Sequence, residues 1–286
     1  MSNIKFSITA ANNVRFFYYA ISAIYGLINN GGIDPSDIIF NVSSVCYHLT
    51  EPLEKLESMG VVILPLTATP LCKPVYADRV FRYFPEATTV VLVDSDAFLN
   101  KTVDLYKVIQ QYQEVDCALY ISPSKESPKA LMLRRDGLFL PDYSYIKGKR
   151  ELANLQEFAL REYSESLDNL LNFAYSQEWF HGGIVIYNRS ILTKKAWKEI
   201  LAWSGICSCD ETAFLFAKRA GSDFVWKAID NNVITHYFTG ENMPSFDRSL
   251  YKGWMHFAGD WFRCGQQHVE IDKLNAEAYA WLLAYK

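Results

Sequence analysis

The sequence predicts a single α/β domain built on an open, mostly parallel sheet with flanking helices, and three observations predict it. Strand-like and helix-like stretches alternate over the first 120 or so residues of a 286-residue chain. Thr88 to Leu99, T-T-V-V-L-V-D-S-D-A-F-L, contains four consecutive apolar, mostly β-branched positions (Val90 to Val93), the pattern of a strand buried on both faces. A second such run, I-V-I-Y-N (Ile184 to Asn188), follows a glycine pair.

In order, Ile4 to Ala11 reads as a first strand, Asn12-Asn13 as its turn, and Arg15 to Leu27 as a helix stopped by Asn29-Asn30-Gly31-Gly32. Asp37 to Val42 is a second strand. Glu51 to Met59 is an amphipathic helix closed by Gly60, and Val61 to Pro65 is a third strand. Pro74 precedes a helix from Tyr76 to Phe84, which carries Arg79 and Arg82 and leads into the aspartate-bearing strand. Arg79 is placed either to reach a ligand's phosphates or hydroxyls or to lie in solvent; solvent is the expectation for Arg82. Thr102 to Gln111 reads as helix and Cys117 to Ile121 as strand. Ser122 to Arg150 reads as an irregular excursion and Glu151 to Tyr175 as mostly helical, so that residues 122–175 form an insertion within the one domain. The second buried strand and a helix from Thr193 to Trp203 complete the regular pattern.

The chemistry concentrates where the Val90 to Val93 run stops at Asp94-Ser95-Asp96. Two carboxylates one residue apart, straight after a core strand, are costly unless something positive lies on them. Hard oxygen donors of this kind suit Mg²⁺ or Mn²⁺, whose shell is completed by substrate phosphates. In open α/β sheets the ligand crevice lies at the carboxyl ends of the strands, where this pair falls. The alternative is a turn in which Asp96 caps a following helix.

Three further stretches carry candidates. His181-Gly182-Gly183 sets two glycines before a core strand, where backbone or ligand comes close. C-S-C-D-E-T-A-F-L-F places Asp210 and Glu211 at the expected start of a helix, and the helix dipole accounts for one of them more readily than for both. Tyr251 to Arg263, Y-K-G-W-M-H-F-A-G-D-W-F-R, gathers His256, Gly259, Lys252 and Arg263. His256 is either a hydrogen-bonded core residue or a third ligand beside the two aspartates, with Lys252 and Arg263 placed for phosphate. Cys207 and Cys209 lack the matched second pair of a zinc site.

Composition narrows the classes. The formal net charge is −4 with no block of like charge, which argues against a nucleic-acid partner. Neither G-x-G-x-x-G nor a P-loop pattern occurs. The six cysteines are irregularly spaced without a C-x-x-C pair, as expected of thiols in a reducing compartment. M-S-N-I-K-F carries no leader pattern and no apolar run reaches membrane-spanning length, so a cytoplasmic or cytoplasm-facing protein is expected.

Taken together these motifs resemble the nucleotide-sugar glycosyltransferases of the GT-A type, most of all family 8, the group of glycogenin and bacterial lipopolysaccharide galactosyl- and glucosyltransferases. Y-A-D-R-V (Tyr76 to Val80) resembles that family's arginine-bearing helix. V-V-L-V-D-S-D-A-F-L resembles its D-x-D strand, and H-G-G-I-V-I-Y-N its N-G-G strand, with His181 in place of Asn. H-F-A-G (His256 to Gly259) is similar to the start of its C-terminal H-F-x-G motif. Two departures stand out: Phe262 occupies the place of the family's lysine, with Arg263 next to it, and D-Q-D-x-L-N is matched only loosely by Asp210-Glu211-Thr212-Ala213-Phe214.

The resemblance implies a single GT-A domain with a Rossmann-like, mixed but mostly parallel sheet. It implies Asp94, Asp96 and His256 as ligands of Mn²⁺ or Mg²⁺ that bridges a UDP-sugar diphosphate. Thr9, Ala10, Ala11 and Asn12 would border the uridine. Arg79, Ser95, Gly182, Gly183, Gly259 and Arg263 would complete the donor site. The implied activity is transfer of a hexose, with retention, to a hydroxyl of a glycan, glycoconjugate or protein, Asp210 or Glu211 positioning sugar or acceptor. Two alternatives stay open: an inverting GT-A enzyme with Asp210 or Glu211 as base, or a non-catalytic nucleotide-sugar or glycan-binding module.

Overall fold

The computed structural model describes residues 3–9, 14–66, 73–100, 104–121, 169, 180–207, 214, 223–230, 234–238, 253–257 and 269–285, with backbone alone at 121, 180–182, 203, 205–207, 234–238, 256–257 and 269–270. The insertion expected over 122–175 lies outside them but for residue 169, and so do Ala10, Ala11, Asn12, Asp210, Glu211, Gly259 and Arg263.

Seven strands form the main sheet in the order β3 (Val62–Pro65), β2 (Ile38–Val42), β1 (Ile4–Thr9), β4 (Thr89–Asp94), β7 (Phe180–Asn188), β6 (Cys117–Ile121) and β8 (Trp226–Ala228). All run parallel except β7, which is antiparallel to both neighbours. The double-sided apolar pattern of β4 thus does report a central strand, but one paired in parallel on one edge only. A second sheet of β5 (Ala97–Leu99), β10 (Trp254–Phe257) and β9 (Ile234–Phe238) stands beside it. This is the expected single, mixed and mostly parallel α/β domain.

Helices cover both faces. Phe6, Ile8, Val91, Val93, Ile184 and Ile186 form the core on one face with Phe17, Ile24 and Leu27 of α1 (Val14–Asn29) and Ala278 and Leu282 of α6 (Val269–Ala284). Polar seams fix the two helices together: Ser22 donates to Asn275 Oδ1 (2.6 Å) and Tyr25 to Glu277 Oε1 (2.8 Å). Short α4 (Leu105–Gln110) is capped by Asp104, which accepts from the Lys107 amide, and α2 (Thr50–Met59) ends as expected at Gly60, whose φ of 103° suits glycine.

The other face carries α3 (Lys73–Tyr83) and α5 (Lys195–Cys207), joined where Trp197 Nε1 donates to Asp78 Oδ1 (3.2 Å). Arg189, directly after β7, donates to the carbonyls of Phe81 and Phe84 and to Ala87 O, satisfying the C-terminal end of α3. Buried Asn188 donates to Tyr112 O (2.7 Å) and Val115 O (2.6 Å) while its Oδ1 accepts from Thr89 (2.7 Å). These bonds fix β4 and β7 relative to each other and to α3. Among the described residues no helix is long and apolar enough to cross a membrane, and Cys46 and Cys117 are buried free thiols.

Candidate active site at the carboxyl ends of β1 and β4

From β1 the sheet grows outward through β2 and β3 on one side and through β4 on the other, so the strand order reverses between β1 and β4. Such a reversal leaves a crevice beyond the strands' carboxyl ends. Thr9 and Asp94 are register partners at that point. The expected positions of Thr9 and of the first aspartate are therefore side by side.

β7 enters the same edge. Its register sets Ile184 against Val93, so one further step brings Gly183 level with Asp94. On its other side β7 breaks register with β6 between Leu119 and Tyr120, jumping from Val185 to His181. The residues accommodated in that irregularity include Gly182 and Gly183, which is the physical use of the glycine pair: backbone bends here beside the carboxylates. His181 lies within β7 rather than before it.

After Asp94 the chain turns at Ser95-Asp96 and enters β5; Asp96 caps no helix. β5 pairs antiparallel with β10, and His256 stands opposite Ala97. The C-terminal motif is thereby delivered next to the aspartate turn. α1 seats β5 by close approach: a Cβ on Gly26 would come within 2.8 Å of the Leu99 carbonyl oxygen.

A basic residue that sequence reasoning did not single out approaches the pair. Lys73, in the first turn of α3, places Nζ 2.8 Å from Asp94 Oδ1; the lysine side chain is 8% exposed and the aspartate 23%. On the α1 side Arg15 Nε donates to Tyr19 Oη (3.1 Å). Burial pushes the Tyr19 hydroxyl up, Arg15 opposes this, and the charges of Asp272 and Asp96 add to it. The expected helix begins at Tyr76 and leaves Lys73 outside it; α3 starts three residues earlier and puts the lysine in its first turn, where it opposes the macrodipole and calls for a carboxylate partner.

Arg79 lies elsewhere on the same edge. Its Nη1 donates to Pro65 O at the end of β3 and its guanidinium stacks 5.3 Å from the Tyr83 ring centroid. Arg82, 76% exposed, pairs with Asp78 across one helical turn (2.6 Å), the surface role expected of it.

Among the described residues no group of three or more His, Cys, Asp and Glu side chains is set to hold a metal ion. Asp94 and Asp96 supply hard oxygen donors of the chemistry that fits Mg²⁺ or Mn²⁺, and β10 runs beside the turn that carries them.

No protein-family model and no curated protein sequence matches the chain. Solved structures do. The chain is similar to the galactosyltransferase LgtC in complex with donor and acceptor sugar analogues, with a TM-score of 0.55 and 10% identity over 96% of this chain and 95% of that one. It is similar to the bifunctional glycosyltransferase WbbM in its apo form, with a TM-score of 0.53 and 14% identity over 98% of this chain; it spans 51% of WbbM, about half its length. The likeness is one of fold, the GT-A glycosyltransferase fold.

Proposed function

We propose that the protein is a metal-dependent glycosyltransferase that moves a hexose from a UDP-sugar to a hydroxyl of a glycan, glycoconjugate or protein, with retention of configuration. The observation that carries this is the meeting of Thr9, Asp94 and the His256-bearing strand at the switch point of a GT-A sheet.

Asp94 and Asp96 would hold the cation, with His256 as third ligand; Mn²⁺ or Mg²⁺ would neutralise charge developing on the departing diphosphate. Thr9 to Asn12 border the uridine in this reading. Ser95, Gly182, Gly183 and Gly259 let backbone approach the donor, Arg263 faces its phosphates or sugar, and Arg79, held on Pro65 O, lies along the same edge of the donor site. Asp210 and Glu211 position the sugar or the incoming hydroxyl, and residues 122–175 shape the acceptor side of the single domain. The chain works on the cytoplasmic side of a membrane or free in the cytoplasm.

The test is thermal denaturation with UDP in Mn²⁺ and in EDTA. Ligand at about 100 times its dissociation constant stabilises by about 2.7 kcal/mol, read as a shift of several degrees. That shift is expected in Mn²⁺ and absent in EDTA; equal stabilisation in both removes the metal from the reading. Turnover of a UDP-sugar to UDP then separates an enzyme from a binding module.

A further inference from the structure

Lys73 and Asp94 form an ion pair between the first turn of α3 and the carboxyl end of β4. α3 is already fixed to α5 through Asp78 and Trp197 and at its C-terminal end by Arg189. A lysine is almost never as buried as this one unless it is paired. It also stands in the first turn of an 11-residue helix, where the dipole already contributes positive potential. At the carboxyl end of β4, ammonium and helix end together favour an anion and oppose a second cation.

We propose that Lys73 is the resident counter-cation of the aspartate pair, so that the free protein discriminates against bare divalent metal and takes it up only together with a nucleoside diphosphate. The proposal rests on the reading of Asp94 and Asp96 as metal ligands. A dication coordinated at Asp94 would stand within a few ångströms of the ammonium. Two positive charges so placed repel by an amount that grows as water is excluded. A diphosphate reverses the balance. Its oxygens ligate the metal and at the same time accept from the ammonium, which is a compact point charge suited to phosphate. Metal and diphosphate therefore favour each other's binding, and that coupling is reciprocal.

The test is a titration of free Mn²⁺, followed by its EPR signal, in the wild-type protein and in Lys73→Met and Lys73→Arg, each with and without UDP. The wild type is expected to bind bare Mn²⁺ weakly and to gain at least about a hundredfold on adding UDP. Lys73→Met is expected to bind bare Mn²⁺ at least about tenfold more tightly and to lose a similar factor of the UDP gain. Lys73→Arg, which keeps the charge, is expected to follow the wild type, and it carries the comparison if the methionine variant does not fold. Bare Mn²⁺ bound by Lys73→Met no more tightly than by the wild type, while UDP-dependent uptake persists, overturns the role of Lys73 alone. A wild type or arginine variant that binds bare Mn²⁺ as tightly as in the presence of UDP does the same. No Mn²⁺ uptake by any of the three, with UDP or without, overturns the metal-site reading and this proposal with it.

Discussion

His256 stands opposite Ala97 in the antiparallel pairing of β10 with β5, one residue beyond Asp96. Two motifs from opposite halves of the chain thus share a ladder. Directly opposite positions across an antiparallel pair lie about 4.5–5.5 Å apart between Cα atoms, so the strand that carries His256 runs alongside the end of the aspartate turn.

His256→Ala is therefore expected to keep the fold and to lose most of the metal-dependent stabilisation by UDP. Far-UV circular dichroism and the Mn²⁺-dependent melting shift check both halves. An alanine variant that keeps the full shift in Mn²⁺ would exclude the imidazole as a ligand.

Gly26→Ala tests how the aspartate turn is held. In an exposed helix interior the change would stabilise by about 1 kcal/mol. Here the new Cβ meets Leu99 O at 2.8 Å, with Leu99 N and Phe98 Cε2 both at 3.1 Å. Two of these three atoms are backbone and cannot rotate away, so overpacking by about 1–3 kcal/mol outweighs the propensity gain. The expected result is a lower urea midpoint together with weaker Mn²⁺-dependent UDP binding, because β5 follows directly on Asp96. A raised midpoint would show that the strand yields freely.

Much of this fold is legible before any coordinates, and the reason is local. β6 runs from Cys117 to Ile121, as its apolar run predicts, and Gly60 closes α2 because its position needs positive φ. β1 to β4, with their helices, follow from hydrophobic periodicity. β5 does not: three residues after a turn carry no period, and only β10, distant in sequence, makes them a strand. α6 does carry a helical stripe, Ile271, Leu274, Ala278 and Leu282, but its seat against α1 depends on pairs such as Ser22 with Asn275. At the site, the D-x-D stretch could be picked out because two carboxylates straight after a buried core strand are anomalous. Lys73 could not be matched to Asp94, since the pairing depends on where α3 lies across the sheet.

Tyr120 makes stability fall at high pH. Burial pushes its hydroxyl up to about 12 from 10.0, so the native state keeps a proton that the unfolded chain releases. Its contribution is complete below about pH 10 and is lost between 10 and about 12. Tyr120→Phe is expected to flatten that decline by about 2 kcal/mol at its upper end, on the scale of 1.36 kcal/mol per pH unit. Cys117, raised by burial and by Asp116, and the raised hydroxyl of Tyr112 leave a residual slope. Urea midpoints of the two proteins from pH 9 upward make the comparison; parallel curves would show that Tyr120 titrates normally.

The stereochemical outcome separates two mechanisms that use the same carboxylates differently. In the retaining reading the acceptor attacks the face from which UDP leaves, and a phosphate oxygen of the leaving group takes its proton. No protein base is then required, so Asp210→Asn and Glu211→Gln should lower turnover through lost positioning and leave its pH profile unchanged. In an inverting enzyme one of the two is the base, a contribution of typically 10²–10⁴-fold, and its loss removes the acidic limb of the pH profile. Proton NMR of the first product from a UDP-α-sugar decides between them. An α-linked product with a preserved pH profile in both variants is the expected result. A β-linked product would overturn the retaining assignment and make Asp210 or Glu211 the base that deprotonates the acceptor.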